Sequence, residues 1–347
     1  MEPDGQKSPG CFNWVSMLCL VAVLALVAFG IIPGLYNARE AGRRTSCQCH
    51  SRNVSTSIIN YENSRNTFPG YANVLATGNK EVYVDPTTGT KSPVSWAILV
   101  LRMLDRPDLF KAWSTPAAQV TPKILAAKHT RLDIFQCPAD PRVGRNAMPL
   151  SYVVNCGMKD WAGLKAKPRD WAENGVFFDR FRGNSLIMED KADQVQIVQT
   201  SSAYISRHDG LQNTILMTEN VDAGNYTDVE ETRVGVLWEP TGMIDPTRNP
   251  PHLSPPDDNM RLNHRIGMSE LHVGKVDASV FARPSSYHPG GANVVFCDSH
   301  LKFISDQIDY YVYCLLMSSD GQRVRKPGSD QGIPGFDAKI EDDWLDH

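Results

Sequence analysis

The chain has 347 residues, of which 41% are hydrophobic and 21% are charged, a balance that excludes wholesale disorder. Its net charge is −4 and its pI is near 6.1, which argues against a broad electrostatic surface for nucleic acid. At about 150 residues per domain, this length predicts one or two domains.

An uncharged apolar run lies close to the amino terminus. No Asp, Glu, Lys or Arg occurs from Ser8 to Asn37, and the densest part is Trp14 to Ile32. As a helix, that part would span roughly 28 Å, close to the hydrocarbon thickness of a bilayer. A signal peptide would have a shorter apolar region followed by a small-residue cleavage site, and a buried core helix fits so uniform a run poorly. We therefore expect a cytoplasmic segment over 1–13 and a single transmembrane helix over 14–35.

A helical pattern continues beyond the apolar run. Val54, Ile58 and Tyr61 recur at i, i+4 and i+7, which makes an apolar stripe, and Phe68-Pro69-Gly70 then stops the helix. Exposing this apolar stripe to water would be unfavourable, so we expect it to be buried against the face of a sheet. We expect one helix from about Trp14 to Tyr61, whose second half forms a stem on an antiparallel sheet.

The rest of the chain is typical of a β-rich body, with short apolar runs between turn residues. Candidate strands are SYVVN (151–155), GVFF (175–178), QVQIVQ (194–199), TILMTE (214–219), RVGVLW (233–238) and ANVVFCD (292–298). The segment VSWAILVLRML (94–104) predicts a short helix with one apolar and one polar face. The proline-containing region 242–290 predicts a long surface loop, and 321–347 predicts a polar tail.

Eight cysteines occur, and Cys11 and Cys19 lie in or beside the apolar run. The other six are Cys47, Cys49, Cys137, Cys156, Cys297 and Cys314. An even number in an exported body permits up to three disulfides, with several connectivities open. Cys47-Gln48-Cys49-His50 also groups potential metal ligands. Because zinc sites usually draw on a second cluster, and none is visible in the sequence, we expect thiols or disulfides instead.

Catalytic motifs are absent from the sequence, which has no phosphate loop, no H-E-x-x-H zinc helix and no G-x-S-x-G nucleophile elbow. His288, Asp298 and His300 fall in one hairpin-sized stretch, and side chains of these types can build a metal or acid–base site. The alternative, which we favour, is a tight turn at 289–291, a buried strand and a second turn at Asp298. We expect no catalytic residue, no metal and no cofactor.

An ordered series of short motifs runs through nearly the whole chain. It comprises Pro33, A-R-E-A-G-R-R (38–44), Cys47, Asn60-Tyr61, Phe68-Pro69-Gly70, Ser95-Trp96, C-P-A-D-P (137–141), S-Y-x-x-N-x-G (151–157), G-V-F-F (175–178), D-G-L-Q-N-T-I-L (209–216), and His288-Pro289-Gly290-Gly291 to Phe303. This series resembles the planctomycete-type, prepilin-like family labelled domain of unknown function 1559, whose N-terminus is similar to that of type II secretion pseudopilins. The last motif is similar to the family's H-P-G-G-x-N-V-L-F-A-D-G-S-V-R-F, and Asp298 aligns with the aspartate of that motif.

The resemblance also places a degenerate prepilin processing site in the chain. Aligning Pro33 with the family's proline puts Phe12 at the first position of the mature helix and Cys11 where the processing glycine belongs. Gly10 lies one residue early, and Ser16 replaces the glutamate of the fifth mature position. We therefore expect that no prepilin peptidase trims this amino terminus.

The family resemblance implies an α+β, pilin-like fold and a body over 36–320 that lies outside the cytoplasm. Charge counting would favour a cytoplasmic body, because Arg39, Arg43 and Arg44 follow the apolar run and only Lys7 precedes it. We follow the family's orientation. Both Cys47 and Cys137 match cysteines of the family pattern, which implies that they pair and tie the stem to the body.

The function implied is that of a non-enzymatic, single-pass membrane protein of the cell envelope or surface. Its role would be structural, secretion-related or adhesive. Its partners would be the lipid bilayer and other pseudopilin-like or envelope proteins, with no nucleic acid. The alternative is an anchored enzyme or carbohydrate-binding protein, with its site among the loops of the β-rich body. A cluster of perturbed carboxylates in a pocket would favour that alternative.

Overall fold

A computed structural model describes residues 14–78, 81–141, 148–162, 169–182, 196–240, 242, 244–264 and 277–345. The chain divides into two compact units, Met1–Thr45 and Ser46–His347. The helices are α1 (Trp14–Arg65), α2 (Trp96–Val100), α3 (Pro107–Trp113), α4 (Pro122–Lys128), α5 (Ser202–Arg207), α6 (Glu231–Val234) and α7 (Tyr310–Met317). The strands are β1 (Ala72–Asn73), β2 (Val94–Ser95), β3 (Tyr152–Asn155), β4 (Ile215–Glu219), β5 (Gly235–Val236), β6 (Gly291–Phe296) and β7 (Leu301–Ser305).

The first helix is 52 residues long and extends four residues beyond its expected end at Tyr61. In its first part the large apolar side chains are exposed, with Trp14 at 75%, Leu26 at 74% and Phe29 at 85% of their full accessible area. Over the residues whose placement is described, no helix combines the length and the hydropathy of a membrane span.

The stem part of α1 is buried as the apolar stripe predicts. Val54 and Ile58 have no exposed surface, and Tyr61 is partly buried against the same hydrophobic core. At the end of the helix, Glu62 is buried and accepts a hydrogen bond from the Ser202 backbone N–H at 2.9 Å. The predicted packing of the stem on the body is therefore confirmed.

The central sheet has the order β5-β3-β4-β6-β7, and β1 pairs with β2 in a separate two-stranded sheet. Strands β3, β4 and β6 are buried along their whole length. Successive strand residues point to opposite faces, so Tyr152 and Asn155 lie on different faces of β3. The Tyr152 hydroxyl donates to the Cys47 carbonyl on α1, whereas the Asn155 amide donates to the Met317 carbonyl at the end of α7. The stem thus covers one face and α7 the other.

The predicted antiparallel sheet is wrong in one respect, because β5 runs parallel to β3 and the sheet is mixed. The other neighbouring pairs are antiparallel. RVGVLW begins as α6 and only then becomes β5. GVFF forms no strand, and the backbone N–H groups of Val176 and Phe177 both donate to the Asn155 carbonyl. QVQIVQ lies partly outside the described residues, and 196–199 are not in a strand.

Three other expectations are corrected by burial. Every side chain of α2 is buried, so this helix has no polar face. The region 242–290 is more than a surface loop, because its described parts bury Leu253, Met260 and Phe281. The polar tail also packs on the body, where Phe336 lies against the Trp238 ring at 5.3 Å between centroids.

Candidate functional site

A disulfide joins Cys47 on the stem to Cys137, which lies 90 positions later and follows the 3-10 helix Asp133–Phe135. The two Cα atoms are 5.0 Å apart, within the range that disulfides require. The pairing that the family resemblance implied is present. The free cysteines behave differently from one another: Cys49 is exposed, whereas Cys156, Cys297 and Cys314 are buried.

His288 lies against this disulfide and has 1% of its surface exposed. Its Nε2 atom is 3.6 Å from Cys137 Sγ and 3.4 Å from Glu219 Oε1. Glu219 ends β4 and is 2% exposed. His288, for which the sequence analysis favoured a role in a turn, therefore belongs to a buried group of polar side chains.

Neutral donors hold the carboxylate of Glu219 in place. Glu219 Oε2 accepts from the Asn293 backbone N–H at 2.9 Å and from the Asn293 side-chain amide at 3.1 Å. The Asn293 side-chain oxygen in turn accepts from Gln48 Nε2 on the stem, at 3.0 Å. Hydrogen bonds therefore connect β4, β6 and α1 beside the disulfide. We call this group the stem site, and it comprises Cys47, Gln48, Cys137, Glu219, His288 and Asn293.

The structure separates the two histidines that the sequence placed in one stretch. His288 precedes β6 and His300 follows it, and six strand residues at about 3.3 Å each put them roughly 20 Å apart. His300 stacks on Phe296, and its Nδ1 lies 2.6 Å from Asp298 Oδ1 on the partly exposed turn before β7. A joint site of His288 with Asp298 and His300 is therefore excluded, and the turn predicted at Asp298 is present.

The turn before β6 shows why glycines follow His288-Pro289. Gly290 has φ +82°, in the left-handed region that side chains with a Cβ rarely adopt. A Cβ on Gly291 would clash with the Ile304 carbonyl on β7. These two positions let the chain reverse and then lie close to the neighbouring strand.

Of the predicted processing residues, Gly10, Cys11 and Phe12 lie outside the described residues. Ser16 lies in the exposed first part of α1. Nothing in the structure tests their role.

A second polar group lies among the loops of the body, and its residues show no motif in the sequence. The Asp160 side chain accepts from the Tyr71 hydroxyl at 2.6 Å and from Arg169 Nε at 2.8 Å. The Asp179 carboxylate is 4.0 Å from the same guanidinium, and the Glu231 carboxylate accepts from the Asp160 backbone N–H at 3.0 Å. We call these residues the acidic cluster, which comprises Tyr71, Asp160, Arg169, Asp179 and Glu231.

Burial perturbs the pKa values of two carboxyl groups in the acidic cluster, Glu231 and Asp179. Desolvation, reinforced by the nearby charge of Asp160, raises the pKa of Glu231 to about 8. Burial also raises the pKa of Asp179, although backbone N–H donors and Arg169 oppose the shift. The raised pKa favours the protonated form of Glu231, a carboxylic acid that can donate a hydrogen bond.

A cavity of about 640 Å³ lies beside the acidic cluster, with Asp160 as a shared residue. Its walls include Trp161 and Trp238, three prolines, and the charged residues Lys159, Glu239 and Lys326. Apolar walls with a few polar groups, at a volume of about 300–1,000 Å³, are typical of small-ligand sites. The Trp238 indole N–H already donates to the Asn174 carbonyl, which leaves this ring to act as an apolar wall.

A family model described as "Protein of unknown function (DUF1559)" matches residues 36–310. The chain belongs to this family. Neither a curated protein nor a solved structure matches it. The DUF1559 match confirms the family resemblance and contains both the stem site and the acidic cluster. The pseudopilin-like N-terminus precedes the matched range and stays a prediction.

One departure from the DUF1559 motif is visible in the backbone. Ser299 stands where the pattern that follows His288 has glycine after its aspartate. Its φ is +72°, a left-handed value that glycine adopts without cost and serine does not. The left-handed backbone at this position explains why the pattern has glycine there. This chain has the same backbone conformation with serine.

Sequence reasoning missed Glu219 as a partner of His288. A signal was present, because Glu219 ends a candidate strand and a buried carboxylate requires a partner. The register that sets Tyr152 opposite Glu219 could not be read from the sequence. Asp160 and Glu231 were missed as well, since 71 positions separate them and no spacing connects them.

Proposed function

We propose that this protein is a membrane-anchored, non-enzymatic protein of the cell envelope or surface, with a pilin-like helix and sheet. The observation that carries the proposal is the first part of α1, where Trp14, Leu26 and Phe29 expose most of their area. Exposed apolar surface costs about 25 cal/mol per Å² in water, and a contiguous patch of this kind indicates a membrane or a partner. The uncharged sequence from Trp14 to Ile32 favours the membrane.

The disulfide supports a body outside the cytoplasm, because such bonds persist in oxidising compartments and are rare in reducing ones. It joins the stem to the loop at Cys137, so the body would be fixed to the helix that anchors it. For such a protein we propose a structural, secretion-related or adhesive role. The bilayer and other envelope proteins are the proposed partners.

Membrane fractionation with charge substitutions tests the anchor. Val21→Arg and Leu24→Arg alter exposed positions of the apolar run, and each arginine costs about 2.5–3.5 kcal/mol at the centre of an inserted helix. We expect the double variant to leave the membrane fraction while the control Thr45→Arg, at an exposed position on the same helix, stays in it. Equal distribution of the two variants would contradict the proposal. Protease shaving of intact cells then decides orientation, since an external body is digested.

Mass spectrometry tests the prediction on processing. We expect Phe12 in a peptide that still carries upstream residues such as Gly10. An N-methylated Phe12, or Cys11 as the first residue, would show that a peptidase does act here.

The cavity beside the acidic cluster favours a second candidate, a carbohydrate-binding function. Trp161 provides an apolar wall, and Lys159, Asp160 and Glu239 provide polar groups that could bind sugar hydroxyls. Titration calorimetry with hexose and N-acetylhexosamine oligosaccharides tests this candidate. We expect Trp161→Ala to abolish binding and Trp113→Ala, which removes an indole that packs against Tyr83 instead, to preserve it. Absence of heat with every sugar would remove this candidate.

A further inference from the structure

Four side chains that commonly bind metal ions converge in the stem site. They are Cys47, Cys137, Glu219 and His288, all buried, and their ligand atoms lie within 4.8 Å of one another. They come from four separate segments: the stem, the loop after Asp133–Phe135, the end of β4 and the turn before β6. Two sulfurs, an imidazole nitrogen and a carboxylate oxygen make a complete tetrahedral set.

The spacing of these atoms fits a zinc ion. With Zn–S near 2.3 Å and Zn–N or Zn–O near 2.0 Å, neighbouring ligand atoms of a tetrahedron lie about 3.3–3.8 Å apart. His288 Nε2 is 3.6 Å from Cys137 Sγ and 3.4 Å from Glu219 Oε1. The two sulfur atoms, bonded to each other in the oxidised chain, need only separate to the same spacing.

The carboxylate is oriented as a metal ligand would be. Asn293 donates two hydrogen bonds to Glu219 Oε2, which fixes the group from behind. In the part of the chain that the structure describes, Glu219 Oε1 accepts no hydrogen bond and faces His288. Burying a carboxylate oxygen without a hydrogen bond costs free energy, and a bound cation would compensate that cost. Such outer hydrogen bonds are a common feature of protein metal sites.

We propose that the stem site has two states, a Cys47–Cys137 disulfide under oxidising conditions and a Zn²⁺ ion bound by Cys47, Cys137, Glu219 and His288 when the disulfide is reduced. A phosphine reductant gives two electrons to the S–S bond and becomes a phosphine oxide by taking oxygen from water. The two water protons pass to the sulfurs. Zinc binding then releases both thiol protons, because thiolates are the ligands.

Thiolate ligands decide the choice of metal. Calcium and magnesium require oxygen ligands, whereas a tetrahedral set of two thiolates, an imidazole and a carboxylate suits zinc. Either state of the site would tie the stem to the sheet. The chain could thus hold its stem in place with zinc before export and with the disulfide afterwards.

The test uses the full chain in detergent, reduced with a phosphine under nitrogen, exchanged into metal-free buffer and then titrated with Zn²⁺ or Co²⁺. We expect one zinc per reduced chain and none per oxidised chain. Cobalt should show thiolate charge-transfer bands and the intense d–d bands of a tetrahedral site. Cys49→Ser is the matched control, because it removes an exposed thiol two residues from Cys47 and should leave binding unchanged.

Variants identify the ligands. Glu219→Gln and His288→Gln should each weaken zinc binding and shift the cobalt d–d bands. Asn293→Ala removes no ligand atom but deletes the side-chain donor to the carboxylate and the acceptor for Gln48, and it should weaken binding by about 10-fold or more. Circular dichroism reports whether each variant is folded. Because the cobalt spectrum of the unaltered chain reports thiolate ligation by itself, the test does not depend on every variant folding.

Three results would overturn the proposal. The first is a reduced chain that binds no zinc. This result counts if the reduced chain stays folded, and also if it is unfolded both in the presence and in the absence of zinc. The second is zinc binding that survives replacement of both Cys47 and Cys137 by serine. The third is zinc lost in Cys49→Ser but retained in Glu219→Gln, which would assign the metal to the Cys49-His50 segment.

Discussion

The stem site and the acidic cluster both bury carboxylates beside the central sheet, but they balance the charge differently. In the stem site, one carboxylate, Glu219, meets one histidine and two neutral amide donors, and a covalent bond closes the group. In the acidic cluster, Asp160 and Asp179 lie within 4.0 Å of the Arg169 guanidinium, and the Glu231 carboxyl group accepts from the Asp160 backbone N–H. The first arrangement is closed by a covalent bond and by neutral hydrogen-bond donors. In the second, burial raises the pKa of Glu231 and favours its protonated form.

This difference is informative about function as well. A group closed by a disulfide and packed under a helix is typical of a structural junction. A group with an excess of acids beside a cavity is typical of a ligand site, where perturbed pKa values concentrate. The proposed structural role of the body and its candidate binding role would therefore belong to different places in the same unit.

Removal of the disulfide gives the largest expected effect. Replacing Cys47 and Cys137 by alanine opens a loop of 90 residues, and the chain-entropy account predicts a loss of about 4–5 kcal/mol in the free energy of unfolding. Urea unfolding of the full chain in detergent measures it. Cys49→Ala, at an exposed free cysteine, is the control and should change stability little. Equal losses of unfolding free energy for the two variants would show that the Cys47–Cys137 bond itself does not stabilise the stem site.

Packing beside the stem site should come next. Ile58→Ala removes a fully buried side chain from the stem and should cost about 3 kcal/mol, the sum of lost burial and an unfilled cavity. Leu26→Ala, at an exposed position on the same helix, should leave unfolding of the body unchanged. If the two variants behave alike, the stem does not depend on its apolar stripe.

Protonation should distinguish the acidic cluster from the stem site. The pKa of Glu231 is about 8 in the folded chain, against an ordinary value of 4.5. Between these values the folded chain keeps the proton and the unfolded chain has lost it. The contribution of Glu231 to stability is therefore fully present below about pH 4.5 and is lost as the pH rises towards 8. Because Glu231 keeps some contact with solvent, we expect a contribution of about 1–3 kcal/mol to this decline.

Glu231→Gln keeps the size of the side chain and removes the titration. Its unfolding free energy, measured from pH 5 to pH 8, should therefore decline less than that of the unaltered chain. Glu40→Gln is a control, because Glu40 lies 3.9 Å from Arg43 in a solvent-exposed pair. A pH dependence unchanged by Glu231→Gln would mean that another group carries the proton.

The same two regions show how far the sequence predicts this molecule. Periodicity alone found the stripe of Val54 and Ile58, because a helix repeats its faces at a fixed spacing. The family resemblance supplied Cys47 with Cys137, which spacing by itself left open. Fully buried strands that lie in short apolar runs, such as β3, were also found. A strand was predicted where β5 lies, but its parallel direction was missed, since direction depends on how the chain returns to the sheet and no local pattern records it.

The acidic cluster could not be predicted for a related reason. Its members come from four segments between Tyr71 and Glu231, and each residue alone is typical of a solvated loop. Only the fold brings them within hydrogen-bond distance and removes the water around them. The alternative of a joint site for His288 and His300 is wrong for the opposite reason. These two residues are close in sequence, but the fold places them at opposite ends of a strand.

The smallest expected effect concerns the neutral hydrogen bonds of the stem site. Gln48→Ala removes the donor to the Asn293 side-chain oxygen and leaves that oxygen in a largely buried position. A single neutral hydrogen bond contributes about 1 kcal/mol, so the loss should be about that size and should not change between pH 5 and pH 8. Gln307→Ala, at an exposed glutamine after β7, should have no measurable effect. A loss for Gln48→Ala that grows or disappears with pH would show that the stem site, like the acidic cluster, depends on a proton.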